Sequence, residues 1–267
     1  IQCDPMSAAV GLLVVGNEIL DGIVLDTNSH WVINQLKALN LHVKERMTVR
    51  DEVPEVARAL RRLIDDCCLV ITVGGLGPTH DDKTLTGVAE ALGLPLKLSP
   101  EAMNIVTRQY RKLHERGVVN SPEITEARGK MARLPKGARP LDNMVGSAPG
   151  VVLDVDGVQV ICLPGVPSEL MWIFENQLVE VLRRRVGGAF AERIISLPLR
   201  DESTLAPVID EVMRRVPGVY VKSMVKPYGE AGIRLWISAT GQSQADVERI
   251  VNKAADLLTQ LSVDKLL

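Results

Sequence analysis

"VITVGGLGPTHDD", residues 70–82, changes character twice over its length. It opens as the β-branched run Val70 to Val73, the signature of a buried strand. It then passes through Gly74, Gly75 and Gly77 and closes on two adjacent carboxylates, Asp81 and Asp82. Glycines at a strand end let the backbone approach a ligand without a Cβ in the way. Successive N–H groups in such a turn form an anion nest, and a following helix adds its positive N-terminal end. "GGLGPT" is therefore a candidate phosphate cradle, although a tight strand-to-helix turn accounts for the glycines equally well. It is not a Walker loop, since no Gly-Lys-Ser/Thr comes after it. Nor is it a dinucleotide fingerprint, since His80 stands where the last glycine would be.

The flanking sequence repeats this organisation. Val10 to Val15 is a continuous apolar run that suits a strand buried on both faces. Asn28-Ser29 marks a helix start, with Val32, Leu36 and Leu39 on one face. Leu41 to Val49 reads as a second strand. Pro54 opens a helix with Val56, Leu60 and Leu63 inward. A further helix runs from about Lys83 to Leu92 and ends at Gly93. Alternating strands and helices predict an α/β domain with a mostly parallel sheet, whose ligands bind beyond the carboxyl ends of the strands.

Residues 99–128 look helical. Asp156-Gly157 between two β-rich runs is a hairpin signal. Residues 166–185 form an amphipathic helix with Leu170, Phe174, Leu178 and Val181 on one face. Gly187-Gly188 interrupts the pattern. Beyond it, strands near 193–199, 219–224 and 232–239 and helices near 202–215 and 244–261 predict a separate small α+β unit. The expected domains are 6–186 and 190–267.

The acids are the chemical clue. Paired carboxylates beside a phosphate nest would repel a bare phosphate, and a divalent cation resolves the conflict. Glu18 comes after the first strand and Asp51 after the second, so Glu18, Asp51 and Asp82 should project from one sheet edge. They are the candidate metal ligands and catalytic groups, with a plain cap of the helix at Pro54 as the alternative for Asp51. Asp26 and Asn28 are candidate ligand contacts, with a plain helix cap as the alternative for Asn28. "CLPGVPSE" supplies a third strand-to-helix turn, with Gly165 for close approach, Ser168 as donor, and Glu169 either at the ligand or as an N-terminal helix charge. "DNMVGSAPG", residues 142–150, is a candidate lid or base-binding loop.

Composition excludes several classes. The net charge of −2 leaves no basic footprint for nucleic acid. Three Trp, three Tyr and two Phe are too few for a stacking platform. The four histidines include no pair spaced for zinc, and the four cysteines form no C-x-x-C. Cys68 and Cys162 lie in apolar runs and read as buried thiols, which predicts a reducing, cytoplasmic setting. No apolar run reaches membrane-spanning length, and no charged-then-apolar leader opens the chain. "IQCDP" precedes Met6 and takes no part in the fold reading.

Three stretches in order, "GLLVVGNEILDGIVLDTNSHWVINQL", "VGGLGPTHDDKT" and "LPGVPSEL", resemble the N-terminal part of the CinA (competence/damage-inducible protein) family. This is a branch of the molybdopterin-binding fold shared with molybdenum-cofactor biosynthesis proteins and animal FAD synthases. The resemblance covers about residues 8–186. "RDEST", "VYVKS" and "GIRLWIS" resemble the family's small KH-like middle domain, without a G-x-x-G loop that would suggest RNA binding. The resemblance implies a three-layer α/β/α domain, dimeric or higher. It implies that Glu18, Asp51 and Asp82 line the nucleotide or pterin site. Gly74, Gly75, Gly77, Pro78 and Thr79 would form the phosphate turn, and Gly165, Pro167, Ser168 and Glu169 the second ligand loop. The implied activity is hydrolysis of ADP-ribose or a related dinucleotide such as FAD, dependent on Mg²⁺, Mn²⁺ or Co²⁺. The alternative is binding of molybdopterin, or adenylyl transfer in cofactor synthesis, without hydrolysis. The chain ends at Leu267, shortly after the small unit, so the family's further nicotinamide mononucleotide deamidase activity is not expected here.

Overall fold

The computed structural model describes residues 9–185, 187–198, 202–224 and 232–263. The chain divides into two compact units. The first runs to Arg185, apart from Lys37–Asn40, which group with the second; the second lies beyond Arg185. The expected domain limits at 6 and 186, the end of the expected strand at 199 and the start of "RDEST" lie outside the described residues.

In chain order the first unit contains β1 (Ala9–Val15), α1 (Asn17–Leu20), α2 (Thr27–Ala38), β2 (His42–Val49), α3 (Val53–Asp66) and β3 (Leu69–Val73). Next come α4 (Thr84–Ala91), β4 (Leu96–Leu98), α5 (Pro100–Glu115), α6 (Glu126–Lys130), β5 (Arg133–Pro135) and β6 (Arg139–Leu141). It closes with β7 (Gly150–Val155), β8 (Val158–Leu163), α7 (Pro167–Ile173), a π-helical turn (Phe174–Leu178) and α8 (Val179–Arg185). The main sheet has the order β2-β1-β3-β8-β7-β6. β2, β1, β3 and β8 are parallel, while β7 and β6 are antiparallel. The mostly parallel sheet is as the sequence implied.

Both sheet faces are covered. Leu13, Val15, Val70, Val160 and Cys162 pack in one core with Val56, Leu60 and Leu63 of α3, Val88 of α4 and Val106 of α5. The alternate residues Leu12, Val14, Ile71, Ile161 and Leu163 are equally buried. So are Val32 and Leu36 of α2 and Leu170, Ile173 and Phe174 of α7 and its extension. Trp31 meets the Phe174 ring edge-on at 5.4 Å between centroids. The result is a three-layer α/β/α unit in which continuous apolar strands satisfy two faces at once.

Several local readings change. The polar segment expected to be helical over 99–128 is helical only to Glu115, because the chain turns at Gly117 with φ +71°. It resumes as the short α6, capped by Thr125. In the 166–185 helix, the π turn widens the spiral, so Leu182 is buried while Val181 is 45% exposed. The Asp156-Gly157 hairpin stands as read, with φ of +49° and +85°. Cys162 is a buried free thiol, whereas Cys68 is disulfide-bonded, so it is not the buried thiol expected.

The second unit contains β9 (Ala189–Leu197), α9 (Glu202–Arg215), β10 (Val219–Met224), β11 (Ile233–Gly241) and α10 (Gln244–Val263). Its antiparallel sheet has the order β10-β11-β9. One sheet face, including Leu235, Ile237 and Val221, packs with Leu205 and Val212 of α9 and Val247, Ala254 and Leu258 of α10. This is a two-layer α+β unit. Among the described residues no helix is long and apolar enough to cross a membrane.

Candidate functional site

Strand register determines where the site forms. Val15 pairs with Val49, Val14 with Val73, and Val73 with Leu163. Four parallel strands therefore end side by side, and the four segments that leave them meet at one edge. A cavity of about 380 Å³ lies there. Its wall includes Glu18 after β1, Asp51 after β2, Gly74 to Pro78 after β3, and Gly165 after β8. Asp81, Asp82 and Glu169 line it as well.

The glycine turn is shaped by its surroundings. Gly74 has φ +101° and Gly75 +68°, conformations that disfavour any side chain. A Cβ on Gly74 would overlap the Val15 carbonyl, and one on Gly75 the Thr84 hydroxyl. Thr84, fully buried, donates its hydroxyl to the Gly74 carbonyl at 2.8 Å. Gly77 lies against Asp82, whose Oδ2 would stand 2.6 Å from a Cβ there. The glycines thus admit neighbouring strands and an acid while leaving bare backbone at the cavity wall.

The acids differ in how they are held. Asp51 is buried and accepts the Asn17 N–H at 2.7 Å. It is not the cap of α3; Glu52 occupies that position, without a side-chain bond. Burial holds the Asp51 carboxyl above its usual range, and the carboxylates of Glu18, Asp81 and Asp82 push it the same way. The Asn17 N–H opposes them. Asp82 accepts both the Thr79 N–H, at 2.8 Å, and the Thr79 hydroxyl, at 2.6 Å. Asp81 also contacts that hydroxyl, which lowers its carboxyl. Lys130 of α6 donates to the Thr79 carbonyl. Glu18 lies in the turn of α1, folded back against Gly16.

Among the described residues no three His, Cys, Asp or Glu side chains are grouped tightly enough to enclose a metal ion. The donors are all carboxylate oxygens spread along one wall. That set suits a hard cation held by one or two carboxylates, with water and ligand phosphate completing its shell.

The remaining candidates take supporting positions. Asp26 accepts the Ser29 N–H at 2.9 Å, the capping role that the sequence had left to Asn28. It does not line the cavity. Asn28 donates to the Gly165 carbonyl at 2.7 Å and so fixes the turn after β8. Thr79, Pro167 and Ser168 are also absent from the cavity wall. Thr79 acts through the two aspartates, and Pro167 and Ser168 begin α7.

Three residues at this edge were not named individually, although Asn143 and Ser147 lie in the 142–150 loop singled out above. Lys130 lies on a short helix whose existence the sequence did not show. Ser147 lines the cavity from the 142–149 loop. Asn143 is fully buried and bonds to Glu169 Oε2 at 2.7 Å. The only available signal was the glycine-containing loop itself, next to the hairpin.

The comparisons with known proteins agree with this architecture. Residues 11–184 match the family described as "Probable molybdopterin binding domain". A protein of Aeropyrum pernix is 46% identical over 213 residues, 79% of this chain and 77% of its own. One of Pyrobaculum aerophilum is 38% identical over 259 residues, 96% of this chain and 95% of its own. The crystal structure of the protein CinA from Thermoplasma acidophilum, described as of unknown function, superposes with a TM-score of 0.60 at 33% identity. That match covers 66% of this chain and 98% of the other. With the family match spanning nearly all of the three-layer unit, the chain belongs to the molybdopterin-binding domain family, as a CinA-like member.

Proposed function

We propose that the cavity binds a phosphate-bearing pterin of the molybdopterin kind, or its adenylylated form, together with a divalent cation. One observation carries this reading: a glycine-rich turn, Gly74 to Gly77, shares a cavity with carboxylates from the segments after β1, β2 and β3 and with Glu169 after β8. Bare backbone suits phosphate oxygens, and the carboxylates need a positive charge before an anion can enter. The surroundings of Asp51 support this, since burial and its acidic neighbours disfavour its ionised form against the opposing Asn17 N–H. One or two of Glu18, Asp51 and Asp82 would hold the cation, with water completing its shell, and the bound charge would attract phosphate oxygen. Thr79 orients Asp82, and Asn17 orients Asp51. The family match supports the pterin as ligand class.

A second reading, hydrolysis of ADP-ribose or a related dinucleotide such as FAD, rests on the same acids. In it Asp82 or Asp51 would take a proton from water attacking phosphorus, and the glycine turn would hold the diphosphate. Chromatography of products from ADP-ribose and FAD, with Mg²⁺, Mn²⁺, Co²⁺ or chelator, separates the two. AMP released only with metal establishes the hydrolase. No product, together with cation-dependent binding of a pterin phosphate, establishes the binding protein. Loss of cation dependence in neither Asp51→Asn nor Asp82→Asn removes these acids from both readings.

A further inference from the structure

The far side of the cavity is built differently from the phosphate side. Asn143 is fully buried and uses its whole amide. Its Oδ1 accepts the N–H groups of Val145, at 3.1 Å, and Gly146, at 2.9 Å. Its Nδ2 donates to the Ala148 carbonyl at 2.8 Å and to Glu169 Oε2 at 2.7 Å. Its own carbonyl accepts from Gln109 of α5. The loop is thereby wound tightly around one side chain, and its end, Ser147 and Ala148, reaches the cavity wall beside Glu169. The Glu169 carboxylate lies so close to Gly146 that any Cβ there would overlap it.

Glu169 is half-buried, and among the described residues no Lys, Arg or His pairs with it. Its bonds are to the Asn143 amide and the Ala148 backbone. An ionised carboxylate has about four acceptor sites, so capacity for two donors remains. In the sheet order Glu169 belongs to the β8 and β7 side, whereas Asp51 comes after β2, three strands away. At about 4.8 Å per strand spacing, the ends of those two strands lie roughly 14 Å apart, a separation that matches a phosphate and a fused ring.

We infer that Glu169 is a specificity-determining residue at the ring end of this cavity, accepting the two adjacent N–H donors of a 2-amino-4-oxopyrimidine edge. Pterins and guanine share that edge, with a ring N–H beside an exocyclic amino group. Adenine offers one donor and one acceptor, and its ring nitrogen would face carboxylate oxygen. Asn143 is the positioning residue, because it holds the acceptor in place. The inference rests on the binding reading above and adds the residue that selects the ring.

The test is calorimetric binding of GMP, IMP, AMP and inorganic pyrophosphate in Mg²⁺, to the wild-type chain and to Glu169→Gln. GMP should bind at least about 10-fold more tightly than AMP, with IMP, which lacks the amino group, in between. Glu169→Gln should abolish the preference and leave pyrophosphate binding within about twofold. AMP binding as tightly as GMP, or a GMP preference that survives the substitution, overturns the assignment. The wild-type ligand series decides this even if the variant does not fold. Failure of pyrophosphate to bind the wild-type chain overturns the phosphate reading beneath it and the assignment with it. Pyrophosphate binding without ring preference overturns the assignment alone.

Discussion

Asn17 and Asp51 bond to each other twice across adjacent strand ends. The Asn17 N–H donates to Asp51 Oδ2 at 2.7 Å, and the Asp51 N–H donates to Asn17 Oδ1 at 3.4 Å. Arg50 adds a bond to Asn17 Oδ1 at 3.4 Å and an ion pair to Asp21 at 2.7 Å. The segment after β1 is thus tied to the segment after β2, and Glu18 and Asp51 reach the same cavity as a consequence. Asp51→Asn keeps an acceptor for the Asn17 N–H, whereas Asp51→Ala leaves that group unpaired at a cost of about 1–3 kcal/mol. Denaturant unfolding should therefore rank Asp51→Ala as the less stable of the two. Equal stabilities would show that this bond contributes nothing.

The turn after β3 depends on Thr84. Its hydroxyl satisfies the Gly74 carbonyl in a fully buried setting. Thr84→Val should cost about 1–2 kcal/mol and leave the fold intact. Gly74→Ala should cost more, roughly 3 kcal/mol or above. It combines a left-handed backbone with overlap on the Val15 carbonyl. Unfolding midpoints in the opposite order would mean that the turn relaxes easily and is not built around its glycines.

Glu169 carries a pH signature. Burial raises its carboxyl above the usual value, against the bonds from Asn143 and Ala148. The folded state therefore binds this proton more tightly than the unfolded state. The cost of ionisation is absent below the unfolded pKa of about 4.3. It grows as pH rises toward the folded pKa and stays at full size above it. Glu169→Gln removes the cost, so its melting temperature relative to wild type should climb between pH 4 and pH 7. A difference that is constant across that range would show that Glu169 is well solvated.

Gly146→Ala tests the same contact from the opposite side. The new methyl group would occupy the position of the Glu169 carboxylate, so one of them must move. We expect a loss of about 1–3 kcal/mol in stability, together with a loss of nucleotide preference but not of pyrophosphate binding. Unchanged preference would mean that the Glu169 carboxylate is not the working group of the ring site.

Cys162 should be chemically silent. It is buried, and its thiol is pushed up to about 11 by desolvation. At pH 8 only about one thousandth of such a thiol is ionised. Burial raises the Cys67 thiol too. Neither should react with a maleimide until the chain unfolds, which mass spectrometry of labelled peptides can track. Prompt labelling of either cysteine in the native state would contradict their burial.

Much of this protein can be read locally. Strands such as Leu69–Val73 are apolar at nearly every position because both faces are covered, and that composition is visible without a structure. The same holds for the glycine turn, since glycine adopts the φ values of Gly74 and Gly75 without a steric penalty. Glu18, Asp51 and Asp82 were found because a parallel sheet brings strand ends to one edge. Other features depend on partners that local pattern does not indicate. Val181 and Leu182 exchange roles because a π turn, set by packing, shifts the helix face. Asn28 holds the Gly165 carbonyl from 137 positions away, while Asp26 takes the cap.

By itself, then, the sequence determined the parallel strands and their neighbouring hairpin, the glycine hinge and the acids at the strand ends, but not the short β4, β5 and β6. Burial period and backbone sterics act on each residue separately. Only the tertiary structure decided which acids share a cavity, that Thr79 and Asn17 orient them, and that Asn143 positions Glu169. Those relationships depend on strand order and through-space hydrogen bonds, which exist only once distant segments have packed together.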